Sequence, residues 1–174
     1  HNHSFKSGFH YFLHDLDNQW HQIRNEYHNT DSDSLYEPVI FGDTSAYADV
    51  YRVKPKEVAF YIQDKMEFDD MVINVGVRYD QFDPASDYPS DRRNPANQLI
   101  LPDSMTSKYP QAPIIEQVSP RIGFAYQLGN QAVLHFSYGH FFQMPPMYAM
   151  YQNHSYLVDP NDYVTRMGNT LLEP

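Results

Sequence analysis

Five stretches of this 174-residue chain alternate apolar and polar side chains residue by residue, and the connections between them alternate between long and short. A period of two fits an extended strand with one apolar face and does not fit a helix, whose faces repeat every 3.6 residues. From His3 to His14, Phe5, Phe9, Tyr11 and Leu13 share one parity against Ser4, Lys6, His10 and His14, with Phe12 out of phase. From Glu57 to Phe68, Val58, Phe60, Ile62, Met66 and Phe68 oppose Glu57, Gln63, Lys65 and Glu67, and Asp64 interrupts the apolar side. After Asp69-Asp70, Met71, Ile73, Val75, Val77 and Tyr79 oppose Asn74, Gly76, Arg78 and Asp80. In Ser119 to Leu128, Ile122, Phe124, Tyr126 and Leu128 oppose Arg121, Gly123 and Gln127. Past Gly129-Asn130, Ala132, Leu134, Phe136, Tyr138 and Phe142 oppose His135, Ser137 and Gly139.

Two connections are about two residues long, the length of a tight hairpin. The others run from about Asp15 to Lys56, Phe82 to Val118, and Met144 to about Met167. Structureless stretches of that length are unusual in a compact domain and point to function. In an antiparallel meander, strict alternation sends every long loop to one end of the sheet and every tight turn to the other. Outer-membrane barrels have this asymmetry. Twelve residues at about 3.3 Å, tilted by about 40°, cover roughly 30 Å along a barrel axis, enough for an apolar band of about 25 Å. Aromatics near the loop ends, Tyr11, Phe12, Tyr79, Phe82, Phe141 and Phe142, are placed as an interfacial girdle would be, with Tyr11, Tyr79, Phe82, Phe141 and Phe142 taken as its members.

Composition narrows the alternatives. Twelve Lys+Arg against 22 Asp+Glu leave a formal charge of −10, which disfavours nucleic acid as a partner. Aromatics at 16% argue against disorder, and 7 glycines are too few for a collagenous chain. No window approaches 18 consecutive apolar residues, which excludes a membrane helix but not a barrel strand. The absence of cysteine removes disulfides and thiol chemistry. The loops are polar and carry Pro84, Pro89, Pro95, Pro102, Pro110 and Pro113, a density of missing N–H donors that an inner strand would not tolerate.

Four stretches, in order, resemble the TonB-dependent outer-membrane receptors. Phe60-Tyr61-Ile62-Gln63-Asp64-Lys65 with Asn74-Val75-Gly76-Val77-Arg78-Tyr79-Asp80 is similar to that family's paired "YxQD … NxGxRYD" strands. Ser119-Pro120-Arg121-Ile122-Gly123-Phe124-Ala125-Tyr126 resembles "SPRxGxAY", and Ser137 to Pro146 resembles "YGxFFQxPP". Gly168-Asn169-Thr170-Leu171-Leu172-Glu173-Pro174 is similar to "GNxxLxPE", which leads into a following strand. The likeness runs from about Val53 to Pro174, and is greatest to the large receptors with a carboxypeptidase-regulatory-like N-terminal extension. It implies an all-β, antiparallel up-and-down meander within a transmembrane barrel of 22 strands, in the outer membrane of a Gram-negative bacterium. Residues 1–174 are then expected to hold about five full strands and the start of a sixth, with no plug domain. The implied partners are outer-membrane lipid, the remainder of the barrel and its plug, TonB through an N-terminal region, and a surface lipoprotein in some receptors. The ligand is not specified by this likeness.

Site expectations follow from facing. Lys65, Asn74, Arg78, Asp80 and Arg121 are read as lumen-facing, either a cross-strand ladder and plug contacts or a substrate path. Loop tyrosines Tyr36, Tyr88, Tyr109, Tyr148 and Tyr151 suit stacking on a ligand or packing among the loops, and Met144, Met147 and Met150 suit loop packing. Asn29, Asp31, Asp33 and Glu37, and likewise Asp159-Pro160-Asn161-Asp162, offer oxygen ligands but lack a calcium loop's glycine and spacing, which favours solvated acidic loops. His10 and His14 would align as metal ligands on a helix but merely share the polar face of a strand, and His1-Asn2-His3 lacks the context of a nuclease site. Asp64 fits an interfacial or paired position. No catalytic motif, metal site or cofactor is expected, so the chain is read as a non-enzymatic receptor section that captures a nutrient with outer loops and imports it through a plug-gated barrel. A soluble all-β binding module, such as a carbohydrate-binding sandwich, is the alternative.

Overall fold

The computed structural model describes residues 2–27, 30–32, 35–159 and 164–174. His1, Asn29, Asp33, Pro160, Asn161 and Asp162 fall outside them, and with them parts of the motif and oxygen-ligand readings above.

The alternating segments form one five-stranded antiparallel sheet. Its members are β1 (Asn2–Leu13), β6 (Lys56–Glu67), β7 (Met71–Asp83), β8 (Ile115–Leu128) and β9 (Ala132–Gly139), neighbours in that order. The expected meander is the observed one. The chain is all-β apart from a 3-10 turn at Asp103–Met105 and a five-residue helix α1 (Met147–Tyr151), and among the described residues the sheet is open. No described helix is long and apolar enough to cross a membrane.

Register fixes the faces, because directly paired residues project to the same side. Phe9 pairs with Phe60, Phe60 with Tyr79, and Tyr79 with Val118; Ile62 pairs with Val77, Val75 with Ile122, and Ile122 with Tyr138. One face is thus an apolar layer across all five strands. The opposite face carries His10, Ala59, Asp80 and Gln117 in one row, and Gln63, Gly76, Arg121 and Gly139 in another.

Both tight turns lie at one end. Phe68 N–H donates to Met71 O at 2.8 Å across Asp69-Asp70, and among the described residues neither aspartate has positive φ. This hairpin therefore closes without the left-handed residues of the primed turns. At the second turn Gly129 does adopt φ of 62°.

Besides β8, which begins at Ile115 and not at Ser119, three boundaries depart from the sequence expectation. The connection from Asp15 to Lys56 is not structureless: it holds β2 (Leu16–His21), β3 (Ile23–Asn25), β4 (Pro38–Ile40) and β5 (Ala48–Val53), with β2 on β5 and β3 on β4. Leu13↔Lys56 and Leu16↔Val53 continue a single register, joined by His14 N–H to Pro55 O at 2.9 Å, because Pro55 has an acceptor but no donor to give. Second, β9 stops at Gly139 instead of reaching Gln143, so Phe141 and Phe142 lie beyond the strand. Third, Gly168–Pro174 does not begin a sixth strand; Gly168 N–H donates to Gln152 O at 2.7 Å and Asn169 N–H to Ala149 O at 2.9 Å, folding the segment back on α1. The alternation that would mark a strand is missing there.

A small core lies at the loop end, on the polar side of the sheet. Val53, Phe82, Met150 and Tyr151 are buried together, with Leu16, Tyr51, Ile115, Phe142, Met144, Met147 and Leu172 packed around them.

Candidate functional site

All five lumen candidates lie on the polar face, and three of them, Lys65, Arg78 and Asp80, are held in ion pairs that run along a strand. Lys65 is ion-paired with Glu67, two residues along β6 and on the same face. Arg78 bonds both carboxylate oxygens of Asp80 through Nε at 2.9 Å, and Asp80 is buried. His14 Nε2 lies 2.9 Å from Glu57 Oε1, so this histidine is held by a carboxylate, and His10 stacks on Phe12 at 4.4 Å. Phe12, which broke the apolar alternation, is thereby placed on the polar face. Arg121 differs: its guanidinium sits 4.9 Å from the Phe141 ring centroid, at the rim of a hollow of about 510 Å³ lined by Gln63, Asn74, Gly76, Gly123, Ser137 and Gly139 among others.

The apolar face is bare. Phe5 is 73% and Phe9 70% exposed, and Phe136 and Val118 are likewise open. Exposed aromatic and aliphatic side chains on every strand of one continuous face form a patch far larger than a soluble monomer ordinarily leaves in water. Asp64, an acid on this face, accepts a hydrogen bond from His3 Nδ1 at 2.8 Å, a pairing across adjacent strands. At the loop end Tyr79 donates to Glu116 at 2.9 Å, an amphipathic contact suited to an interface.

Among the proposed girdle aromatics, Tyr11 and Tyr79 lie on the apolar face by register. Three do not. Phe82 pairs with Ile115 on the polar side and is fully buried, Phe142 packs on the same loop-end core, and Phe141 turns toward Arg121. Nearness to the loop end was the signal for all three; parity for Phe82, and the early end of β9 for the others, decides against it.

The long loops form a bonded layer. Tyr156 Oη and Thr170 Oγ1 both donate to Asp87 O, at 2.6 and 3.2 Å, and Arg92 donates to Asn169, so the second and third loops are tied together. Asp49 of β5 accepts from the main-chain N–H of Asn153 at 2.9 Å and of His154 at 3.3 Å, which fixes the third loop to the β2–β5 hairpin. In the second loop side-chain acceptors satisfy main-chain N–H groups that have no strand partner: Asn97 Oδ1 accepts from Ser107 N–H at 2.8 Å, and Asn94 Oδ1 from Leu99 N–H at 3.1 Å.

Two of the hollows in this layer are lined by several aromatic side chains. The larger, about 520 Å³, is lined by Trp20, Tyr47, Tyr51 and Tyr148 with Asn18 and Arg166 among its polar groups. The smaller, about 300 Å³, lies between the second and third loops and takes in Tyr88, Arg92, Arg93, His154 and Tyr156. Burial among Tyr51, Tyr151 and Tyr156 pushes the His154 imidazole below its ordinary value, although Asp49 and Asp87 oppose this. Burial also pushes the Tyr156 phenol up to about 12.

The five tyrosine candidates thus scatter. Tyr88 lines the smaller hollow and Tyr148, 70% exposed, the larger; Tyr36 is exposed and lines neither. Tyr109 stacks on Tyr156 with centroids 5.5 Å apart and donates to Pro95 O. Tyr151 is corrected to a packing residue: it is 1% exposed, its hydroxyl donates to Pro84 O at 2.8 Å, and its ring fills the loop-end core. Trp20, Tyr51 and His154 escaped the sequence reading, because the β2–β5 hairpin that presents the first two was read as loop.

Compared with known families, residues 2–174 match a model described as TonB dependent receptor-like, beta-barrel. The chain belongs to the TonB-dependent receptor β-barrel family. No curated protein and no solved structure matches it. A TonB-dependent receptor barrel is a transporter part, not an enzyme, and the two-faced sheet is what such a wall requires: apolar toward lipid, polar toward the lumen. The family functions with TonB and a plug and resides in the Gram-negative outer membrane.

Proposed function

We propose that this chain is a section of the wall and outer loops of an outer-membrane receptor that captures a nutrient ligand in its loop layer and passes it inward past a plug. The single observation that carries the reading is the register: five strands present one continuous, predominantly apolar face with no described element over it, while every long loop is gathered, folded and bonded at one end. A sandwich would bury that face against a second sheet. The hollows of the loop layer supply concave, partly aromatic surfaces of the size small ligands use. A barrel of 22 strands, a plug, and a surface lipoprotein partner belong to the same proposal.

Topology in living cells tests it. The chain has no cysteine, so single cysteines report cleanly from it. In the parent receptor, Gln98→Cys in the second loop is expected to react on intact cells with a maleimide carried on a polymer too large for porins. Asp70→Cys at the tight turn is expected to react only after the outer membrane is opened. Labelling of Asp70→Cys on intact cells, or of neither site until cells are broken, would overturn the proposal.

A further inference from the structure

The smaller loop hollow has a composition at odds with the rest of the chain. Acidic residues outnumber Lys+Arg by 22 to 12 overall, yet the described residues lining this hollow include Arg92 and Arg93 and no aspartate or glutamate. Neither arginine forms an ion pair among the described residues, whereas Arg52 and Arg78 both do. The Arg92 guanidinium is tethered by its bond to Asn169, and the Arg93 main-chain N–H donates to Asp91 Oδ1 at 2.9 Å, which fixes the stretch of loop that carries both. The other polar groups at the wall, including Gln152, Thr165 and Thr170, are uncharged.

The two arginines bring like charge to one hollow, and each has planar N–H forks that match an oxyanion. Holding them at one concave site, unneutralised in an acidic protein, leaves a deficit of negative charge that a bound group would fill. We propose that this hollow binds an oxyanion group of the captured ligand, a carboxylate or a phosphate, through Arg92 and Arg93. The proposal rests on the reading of the loops as the capturing surface and adds the ligand's chemical class. Tyr88, His154 and Tyr156 supply aromatic wall to the same hollow, so the ligand is an anion with an attached organic body that fills the rest of about 300 Å³.

Phenylglyoxal, which modifies accessible guanidinium groups, tests it on the full receptor in detergent, with modification followed arginine by arginine through peptide mass spectrometry. Inorganic phosphate and succinate are the probes, each against chloride at equal ionic strength. One or both are expected to slow modification of Arg92 and Arg93 by about threefold or more near saturation, with Arg52 unchanged as control. Protection by phosphate alone assigns a phosphate group, and protection by succinate alone a carboxylate. In Arg93→Gln, protection of Arg92 is expected to fall to the chloride level. Protection by neither probe, equal slowing at Arg52, or full protection persisting in Arg93→Gln would overturn the oxyanion site. These results are independent of the cysteine topology: labelling of Asp70→Cys on intact cells would defeat the outer-loop reading even where the arginines are protected.

Discussion

At the residue scale, facing outweighs identity. Val75 and Asn74 are neighbours on β7 with nearly the same depth and strand environment, yet register puts Val75 with Asp64 and Ile122 on the apolar face, and Asn74 with Lys65 and Gly123 on the polar one. Val75→Arg in the parent receptor is therefore expected to cost about 2 to 4 kcal/mol and Asn74→Arg much less, measured by refolding titrations into lipid vesicles; equal costs would reverse inside and outside. In the loop layer, His154 gives a pH dependence whose sign is fixed by burial. Its folded value lies below the ordinary 6.5, so below that pH the unfolded loop takes up a proton that the folded loop resists. Stability of the third loop is then complete above about pH 6.5 and declines as pH falls. Hydrogen exchange at 152–159 is expected to accelerate between about pH 7.5 and 5.5 beyond its intrinsic change, and His154→Gln to remove the excess. Gly168 marks the tightest approach of a glycine to backbone: an added Cβ would stand 2.5 Å from Met150 O, which cannot rotate away. Gly168→Ala is expected to cost about 1 to 3 kcal/mol of loop-layer stability, read as lost exchange protection around α1.

Elements were legible where a single period governed them. The strands of the sheet emerge from parity because each keeps one face mainly apolar over 8 to 14 residues, and no helix could satisfy the same pattern. The β2–β5 hairpin did not emerge, since its inner side carries Leu16, Asn18, Trp20, Tyr51 and Asp49, a mixture set by loop packing and not by lipid. The loop hollows were equally hidden: Tyr88 with His154, or Trp20 with Tyr148, meet only through long-range folding, and no local spacing announces them. From Asn2 to His21, at about 3.3 Å a residue, the β1–β2 strand line reaches roughly 65 Å, whereas a tilted crossing of the apolar band uses roughly half of that. On the proposed reading the remainder stands beyond the membrane, as the support on which the third loop is hung through Asp49. At the opposite end Gly129, with φ of 62°, closes the β8–β9 hairpin, and Gly129→Ala is expected to cost about 1 to 2 kcal/mol, since a Cβ disfavours that conformation.

For the whole molecule the decisive quantity is uncovered surface. The core of the described chain is small and lies at the loop end, around Val53, Phe82, Met150 and Tyr151, so it holds the loop layer to the sheet but covers none of the apolar face. That face spans β1, β6, β7, β8 and β9 and bears exposed Phe5, Phe9, Phe60, Ile122, Leu134 and Phe136. In addition β1 and β9 are edges of the described sheet, each with a row of main-chain groups free to pair with another strand. Both features favour association in water, one by burying apolar area and the other by extending the sheet. The 20.4 kDa chain taken alone is therefore expected to elute as mixed oligomers or aggregates without detergent, and to become a defined species with retained β-sheet circular dichroism once detergent covers the face. Light scattering coupled to gel filtration reads this directly. The charge of −10 does not rescue it, because the acids are concentrated in loops and on the polar face and leave the apolar layer unopposed. A monodisperse monomer that melts cooperatively in plain buffer would mean that something in the chain shields this face, and would favour a soluble binding module over a section of barrel wall.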